Sequence, residues 1–168
     1  ALDSNGVVHI SYYDSTSADL KYCNSTGGSW SCATVESTGD VGSDSSLAID
    51  SNNIIHISYM DVSNTGVGYC NDTNGNWGCE FVDSGTSGQA GAYSSIAIDT
   101  NDTVHISHYD QIDADLRYCN NSGGTWGCTS VDTSGDVGSY SSIAIDSNNT
   151  VHISYNDDSG DLKYCNNS

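Results

Sequence analysis

The chain has 168 residues, with three Lys or Arg against 22 Asp or Glu, and a net charge of -19. That balance leaves almost nothing to neutralise phosphates or anionic headgroups, which excludes nucleic acid and anionic membrane surfaces as partners. There is no proline, no helical periodicity, and no apolar run that approaches the length of a membrane span.

A motif near V-H-I-S-Y-Y-D occurs at Val8–Asp14, Ile55–Asp61, Val104–Asp110 and Val151–Asp157. Its histidines, His9, His56, His105 and His152, are 47, 49 and 47 residues apart. Self-similarity at that period signals a propeller, a solenoid or another array. The repeats run 1–46, 47–95 and 96–142, with a partial fourth at 143–168, about 3.5 units in all. The chain opens inside a repeat, where Ala1-Leu2-Asp3 matches Ala48-Ile49-Asp50. It closes at Cys165–Ser168, before a segment that would match Gly123–Val131. We therefore read it as a processed chain or a window on a longer array.

Taken in chain order, the third unit reads as four strands. Ser94–Ile98 is a short run of small and branched residues, followed by a polar turn at Asp99–Asp102. Thr103–Tyr109 alternates, with Val104, Ile106 and His108 on one face and His105, Ser107 and Tyr109 on the other. A second turn at Asp110–Ala114 leads to a third strand, Asp115–Asn120. Asn121–Gly124 is a hairpin turn, Thr125–Asp132 the fourth strand, and Thr133–Tyr140 a Gly/Ser-rich link. Four short antiparallel strands per unit of 47–49 residues describe a blade of a β-propeller, with the small-residue first strand innermost. The alternative all-β architecture is an open β-solenoid-like array, whose repeats are usually shorter.

The cysteines follow the same period: Cys23/Cys32, Cys70/Cys79 and Cys119/Cys128 are each C-x8-C. No C-x2-C is present, and the histidines lie elsewhere in the repeat, so zinc is not expected. Local disulfides stapling the outer hairpin are expected, hence an oxidising, extracellular compartment: secreted or at the cell surface. Cys165 is the first member of a fourth pair and is left for a bond to another chain or to a continuation of the array.

The turn before each Trp reads Cys23-Asn24-Ser25-Thr26-Gly27-Gly28-Ser29-Trp30, Cys70-Asn71-Asp72-Thr73-Asn74-Gly75-Asn76-Trp77 and Cys119-Asn120-Asn121-Ser122-Gly123-Gly124-Thr125-Trp126. These segments resemble the Asp-box blades, S-x-D-x-G-x-T/S-W, of sialidases and related propeller lectins. The Asp is kept only as Asp72, and Cys replaces the leading Ser throughout. The resemblance implies a propeller blade. Sialidase activity is not carried over, since it requires three arginines gripping a carboxylate and Arg117 is the single arginine here.

The remaining polar residues recur once per unit and are expected to serve the architecture first. The four histidines are read as hydrogen-bonding between blades, with His108 standing where Tyr12, Tyr59 and Tyr155 stand. Asp14, Asp61, Asp110 and Asp157 end the second strand and are read as turn caps; Lys21, Arg117 and Lys163 are read as local ion pairs. Asp3–Gly6 (D-S-N-G) and Asp50–Asn53 (D-S-N-N) are the nearest candidates for Ca²⁺, though neither completes an EF-hand loop. Sequons place N-glycans at Asn24, Asn71, Asn120 and Asn166 on the outer turn, and at Asn101 and Asn148 on the first turn.

Two functions compete. The first is a structural repeat protein: an extracellular, disulfide-stapled glycoprotein building a surface layer, adhesin or fibre. Its partners would be covalent glycans and further copies of the chain or a continuation of the array. The alternative is a lectin-like propeller, with Tyr12, Tyr13, Tyr109, Trp30 and Trp126 stacking on sugars at blade interfaces, against the plainer reading that these aromatics pack between blades. An enzyme is not expected, because a catalytic pair needs carboxylates in different environments and repetition makes them alike.

Overall fold

The computed structural model describes residues 1–168 apart from the side chain of Asn74. The chain is all-β and forms four successive antiparallel sheets that do not close into a ring. The first sheet holds β1 (His9–Asp14), β2 (Asp19–Asn24) and β3 (Ser31–Glu36). The second holds β4 (Val41–Ile49), β5 (Ile55–Asp61), β6 (Gly66–Asn71) and β7 (Gly78–Asp83). The third repeats it with β8 (Ala90–Ile98), β9 (Val104–Asp110), β10 (Asp115–Asn120) and β11 (Gly127–Asp132). The fourth has β12 (Val137–Ile145), β13 (Val151–Asp157) and β14 (Leu162–Asn166). Within each sheet the strands follow chain order, as in a blade.

The cores lie between sheets. Leu20 and Tyr22 of the first sheet pack with Val41, Ile55, Ile57 and Tyr59 of the second. Val67 and Tyr69 then meet Ile96, Val104 and Ile106, and Leu116 meets Val137, Ile143, Ile153 and Tyr155. A central strand such as β5 is consequently buried on both faces, and its Ser58 is as inaccessible as its Ile57.

The first strands β4, β8 and β12 lie side by side. Ser94 Oγ donates to the Asp44 carbonyl (2.8 Å), and Ser141 Oγ to the Tyr93 carbonyl (3.1 Å). Serine pairs tie each first strand to the second strand of the preceding sheet: Ser45 to Ser11, Ser94 to Ser58 and Ser141 to Ser107. Such close approach needs glycine. A Cβ on Gly138 would lie 2.6 Å from the Leu116 Cα, and one on Gly91 2.4 Å from the Gly66 carbonyl oxygen. Both adopt positive φ, 109° and 100°.

Two sequence boundaries shift. The first strand of the third unit begins at Ala90 rather than Ser94, and the supposed link 133–140 contributes its last residues to β12. The repeat cuts at 46/47, 95/96 and 142/143 therefore fall inside β4, β8 and β12. The cause is a bulge in each first strand, with register shifts around Ser43, Ala92 and Ser139. A bulge destroys the two-residue alternation by which a strand is recognised.

Candidate functional site

Each unit builds one polar line across its second and third strands. Tyr22, Tyr69, Tyr118 and Tyr164 lie 2.5–2.6 Å from Nδ1 of His9, His56, His105 and His152. On the other side, Nε2 faces Asp3, Asp50, Asp99 and Asp146 at 3.5–3.6 Å. Asn24, Asn71 and Asn166 donate Nδ2–H to the tyrosine oxygen. One proton arrangement serves every group: Asn donates to Tyr, Tyr to Nδ1, and Nε2–H points at Asp. Burial depresses the His56 and His105 imidazoles below their ordinary value, so they are neutral at pH 7. The histidine bonds are thus internal to one sheet. The expectation that they link blades is corrected, because the tyrosine two residues diagonal on the adjacent strand is nearer than the next sheet.

The same turns account for the Asp-rich and Asn-rich motifs. Asp3 Oδ1 accepts from the N–H of Asn5 and Val7, and Asp50, Asp99 and Asp146 repeat this. Oδ1 of Asp3 and of Asp50, the residues considered for Ca²⁺, is therefore engaged by backbone donors, while Oδ2 faces the imidazole at 3.6 Å. Asn24, Asn71, Asn120 and Asn166 each accept through Oδ1 from the N–H two residues on, and Thr73, Ser122 and Ser168 add a hydroxyl donor. The outer sequons thus coincide with Asx turns, a local reason for N-x-S/T to recur. Asn24, Asn71 and Asn120 are half-buried, whereas Asn101, Asn148 and Asn166 are exposed. At the Asp-box-like position, Ser25, Asp72, Asn121 and Asn167 all accept from the first N–H of the second strand (2.7–2.9 Å). Any short side chain with an oxygen serves there.

The second-strand aspartates cap turns as expected: Asp61 accepts from Asn64, Asp110 from Ile112 and Asp113, and Asp157 from Ser159 and Asp161. The cations differ. Lys21 makes local contacts to Asp14 and Asp19 at 3.9–4.0 Å. Arg117 instead reaches the preceding sheet, with Nε 2.7 Å from Asp83, and Lys163 lies 2.7 Å from Asp132. His108 and Tyr155 meet the same two carboxylates at 3.3 and 2.8 Å, so the substitution at His108 preserves the contact. Burial works to raise Asp83, but His108 and Arg117 outweigh it and hold the carboxyl far below its usual range. Lys163 pulls Asp132 down to about 2. The local reading therefore holds for Lys21 alone, since a cation crosses only where a preceding sheet offers a fourth-strand carboxylate.

All three expected disulfides form, Cys23–Cys32, Cys70–Cys79 and Cys119–Cys128, each joining directly paired residues of the third and fourth strands with Cα atoms 4.1 Å apart. Asp83 lies close to Cys119 and Cys128, but those sulfurs are bonded to each other and offer no thiolate ligand. Cys165 is unpaired and half-buried on β14.

The aromatics divide. Trp77 packs edge-on against Tyr22 and Trp126 against Tyr69 of the preceding sheet, both at 5.1 Å, and Trp126 Nε1 donates to Glu80. Trp126 is therefore an inter-sheet wedge and not a sugar-facing ring. Tyr13 and Tyr109 donate to Asp40 and Asp136 at the head of the next sheet, while Tyr12 and Trp30 are exposed on the first sheet. The sequence reading overlooked Tyr93 and Tyr140. They occupy the bulge position filled by Asp44 in the second sheet, at φ 55°, 53° and 48° respectively. Bulky residues rarely adopt this region, and bulges of this kind re-aim side chains. The Tyr93 and Tyr140 rings lie 4.3 Å apart, with Tyr109 6.3 Å from Tyr93. Asp44 Oδ2 accepts from the Tyr93 N–H at 2.8 Å. Asp44, Ser45, Tyr93, Ser94, Tyr140 and Ser141 line an open depression of about 310 Å³ along the inner strands. A hydrogen bond to Tyr140, then partial burial, push the Tyr93 phenol up, and burial with the Asp136 bond pushes Tyr109 to about 12. The Tyr93 and Tyr109 phenols are therefore neutral, and the Tyr93 and Tyr140 rings offer apolar faces flanked by hydroxyls and a carboxylate.

No protein-family model matches this chain, and no curated protein matches it. Solved structures do share its fold. A protein of unknown function from Dyadobacter fermentans superposes with a TM-score of 0.71 at 16% identity, over 99% of this chain and 50% of its own. A sialidase from Streptococcus pneumoniae gives 0.61 at 16% identity, over 98% of this chain and 28% of its own. The Aleuria aurantia lectin, in complex with Fucα1-6GlcNAc, gives 0.58 at 14% identity, over 98% of this chain and 59% of its own. The chain thus spans half the length of the Dyadobacter protein, 28% of the sialidase and 59% of the lectin. At these identities the likeness is one of fold: this is a β-propeller-type arrangement of blades.

Proposed function

We propose that the chain is an extracellular carbohydrate-binding module that holds a sugar against Tyr93 and Tyr140. The observation that carries this reading is the pair of tyrosines turned out of two adjacent bulges, 4.3 Å apart and beside Asp44 and three serines. A pyranose has a C–H face that packs on an aromatic ring and hydroxyls that need donors and acceptors at its rim. Propeller-type relatives in fold include a lectin solved with a fucosylated disaccharide, which supports the reading by analogy. We infer binding and not turnover, because the carboxylate lining the depression, Asp44, already accepts from the Tyr93 N–H. Secretion is supported by the three disulfides. If glycans are attached, Asn101, Asn148 and Asn166 are the exposed acceptors.

The test is a glycan array probed with labelled protein, repeated with Tyr93→Ala/Tyr140→Ala. Binding to a defined sugar class, lost in the double variant while the fold is retained, is the expected result. Silence across the array, or binding unchanged by the double variant, would sink the reading.

A structural role in an array is a second reading, because successive units pack on one another through the same repeated apolar clusters. Electron microscopy of unreduced protein tests it: filaments support it, and discrete particles count against it.

A further inference from the structure

The third sheet departs from the repeat at two paired positions. His108 stands where the other units have Tyr12, Tyr59 and Tyr155, and Arg117 stands where they have Lys21, Gly68 and Lys163. Residues that serve the shared architecture recur, so two singular residues side by side need a local reason. The register sets Arg117 opposite His108 and Cys119 opposite Ile106, two residues away on β9, so His108, Arg117 and Cys119 share one face. That face meets the second sheet, at a boundary between two four-stranded sheets.

The His108 ring is fully buried, and its Nδ1 has no hydrogen-bond partner among the described residues. The ring N–H therefore belongs on Nε2, which faces Asp83 Oδ2 at 3.3 Å and Cys119 Sγ at 3.6 Å. Arg117 Nε donates to the same carboxylate oxygen at 2.7 Å and offsets its charge, which lies 3.9 Å from the sulfur. The two sulfurs of this disulfide differ in access: Cys119 is fully buried and Cys128 half-buried. Cys70–Cys79 is a matched control inside the molecule. It has the same Cα separation of 4.1 Å, the same spacing of 9 residues, and the same division into a buried and a half-buried cysteine. There Tyr59 and Gly68 take the places of the imidazole and the guanidinium, and burial raises the Tyr59 phenol, which makes it the poorer proton donor.

We infer that Cys128 is a modification site, which takes a low-molecular-weight thiol of the glutathione class by exchange with the Cys119–Cys128 disulfide. The attacking thiolate bonds to Cys128 Sγ, the reachable sulfur. The Cys119–Cys128 bond breaks, and its electron pair leaves on Cys119 Sγ. His108 Nε2–H donates to the departing thiolate, and the proton given up by the small thiol ends on Cys119. Exchange is faster the better the leaving sulfur holds its charge, and a neighbouring imidazole N–H and guanidinium favour that. The product carries a mixed disulfide on β11 and a thiol on β10. It unfastens the outer hairpin of this sheet and leaves the matched staple of the second sheet closed.

The test incubates the folded chain with excess reduced glutathione, quenches with acid, and assigns adducts and free thiols to single cysteines by mass spectrometry. Glutathione should appear on Cys128, with Cys119 free, at least about tenfold faster than Cys70–Cys79 opens. His108→Tyr restores the residue of the other units, where Tyr155 makes the equivalent contact to Asp132, and should lose most of that excess. Urea midpoints of the native chain and the variant, disulfides closed, separate lost exchange from altered stability. The ratio within the native chain needs no variant, so it decides even where His108→Tyr fails to fold. Equal rates at the two disulfides, glutathione on Cys119 in place of Cys128, or a rate untouched by His108→Tyr in a folded protein would overturn the inference. None of these readouts involves a sugar, so the outcome is separate from that of the carbohydrate-binding reading.

Discussion

The inner sheets and the terminal sheets carry nearly the same residues at matching positions and treat them differently. Ile106 of the third sheet is fully buried, while its counterpart Ile10 in the first is 44% exposed. Tyr69 is 3% exposed, whereas Tyr164 of the last sheet is 58% exposed. Trp77 and Trp126 are wedged on tyrosines of the preceding sheet, but Trp30 is 57% exposed. In a linear array each unit meets only its neighbours, so stability is a sum of unit and interface terms. A residue's weight here depends on which of its faces has a neighbour.

The largest test of that contrast is one truncation made at both places. Ile106→Ala should cost about 4 kcal/mol, because it removes a buried branched side chain and leaves a cavity. Ile10→Ala should cost under about 1 kcal/mol, since its site is half open to water. Urea unfolding of both variants measures the difference, and equal losses would mean the first sheet is covered in solution.

Next in size is the pair of cations. Arg117→Ala strands Asp83 and His108 in the second sheet boundary and should cost about 3 kcal/mol. Lys21→Ala breaks only long, solvent-screened contacts and should cost at most about 0.5 kcal/mol. A thermal shift that ranks Lys21 with Arg117 would contradict the inter-sheet role assigned to the arginine.

The disulfides should respond more evenly. Each closes a loop of the same length, so replacing both cysteines of either Cys23–Cys32 or Cys70–Cys79 by Ala should cost about 2–3 kcal/mol. An excess for the inner pair would report packing around Cys70, which is fully buried, beyond loop closure.

The last contrast is in pH dependence. Burial holds the folded-state values of His56 and His105 below the unfolded 6.5. Above that pH both states are neutral at these residues. As pH falls below about 6.5 the unfolded chain takes up protons first, so stability drops by up to about 1.4 kcal/mol per pH unit for each histidine. Asp83 and Asp132 are depressed, so their contribution persists above about pH 4 and is lost on further acidification. Denaturant midpoints between these limits should slope with pH in the native chain and flatten in His56→Gln/His105→Gln.

Much of the architecture was legible residue by residue. The Val-His-Ile-Ser alternation marks β9 and β13 because one face of each must be apolar, and C-x8-C marks the outer hairpin because its two cysteines pair in register. The turn-capping role of Asp61, Asp110 and Asp157 follows from the short reach of an aspartate to its own backbone. The candidate site was not legible. Tyr140 ends a Gly/Ser-rich stretch without alternation, and only the positive φ of a bulge turns it toward Tyr93. Aligning the units would have shown Asp44, Tyr93 and Tyr140 at one position after Val-Gly-Ser or Ala-Gly-Ala, the one place where an aromatic replaces an acid.

The sequence by itself determined the repeat, the four-stranded unit, the disulfide pairing and the acidic, all-β character, because each arises from contacts within a few tens of residues. Only the tertiary structure decided that the histidines bond inside a sheet, that Arg117 and Trp126 bridge to the preceding one, and that Tyr93 and Tyr140 meet. Those facts depend on how one sheet is set against the next. Units of almost identical sequence carry no mark of which neighbour they have.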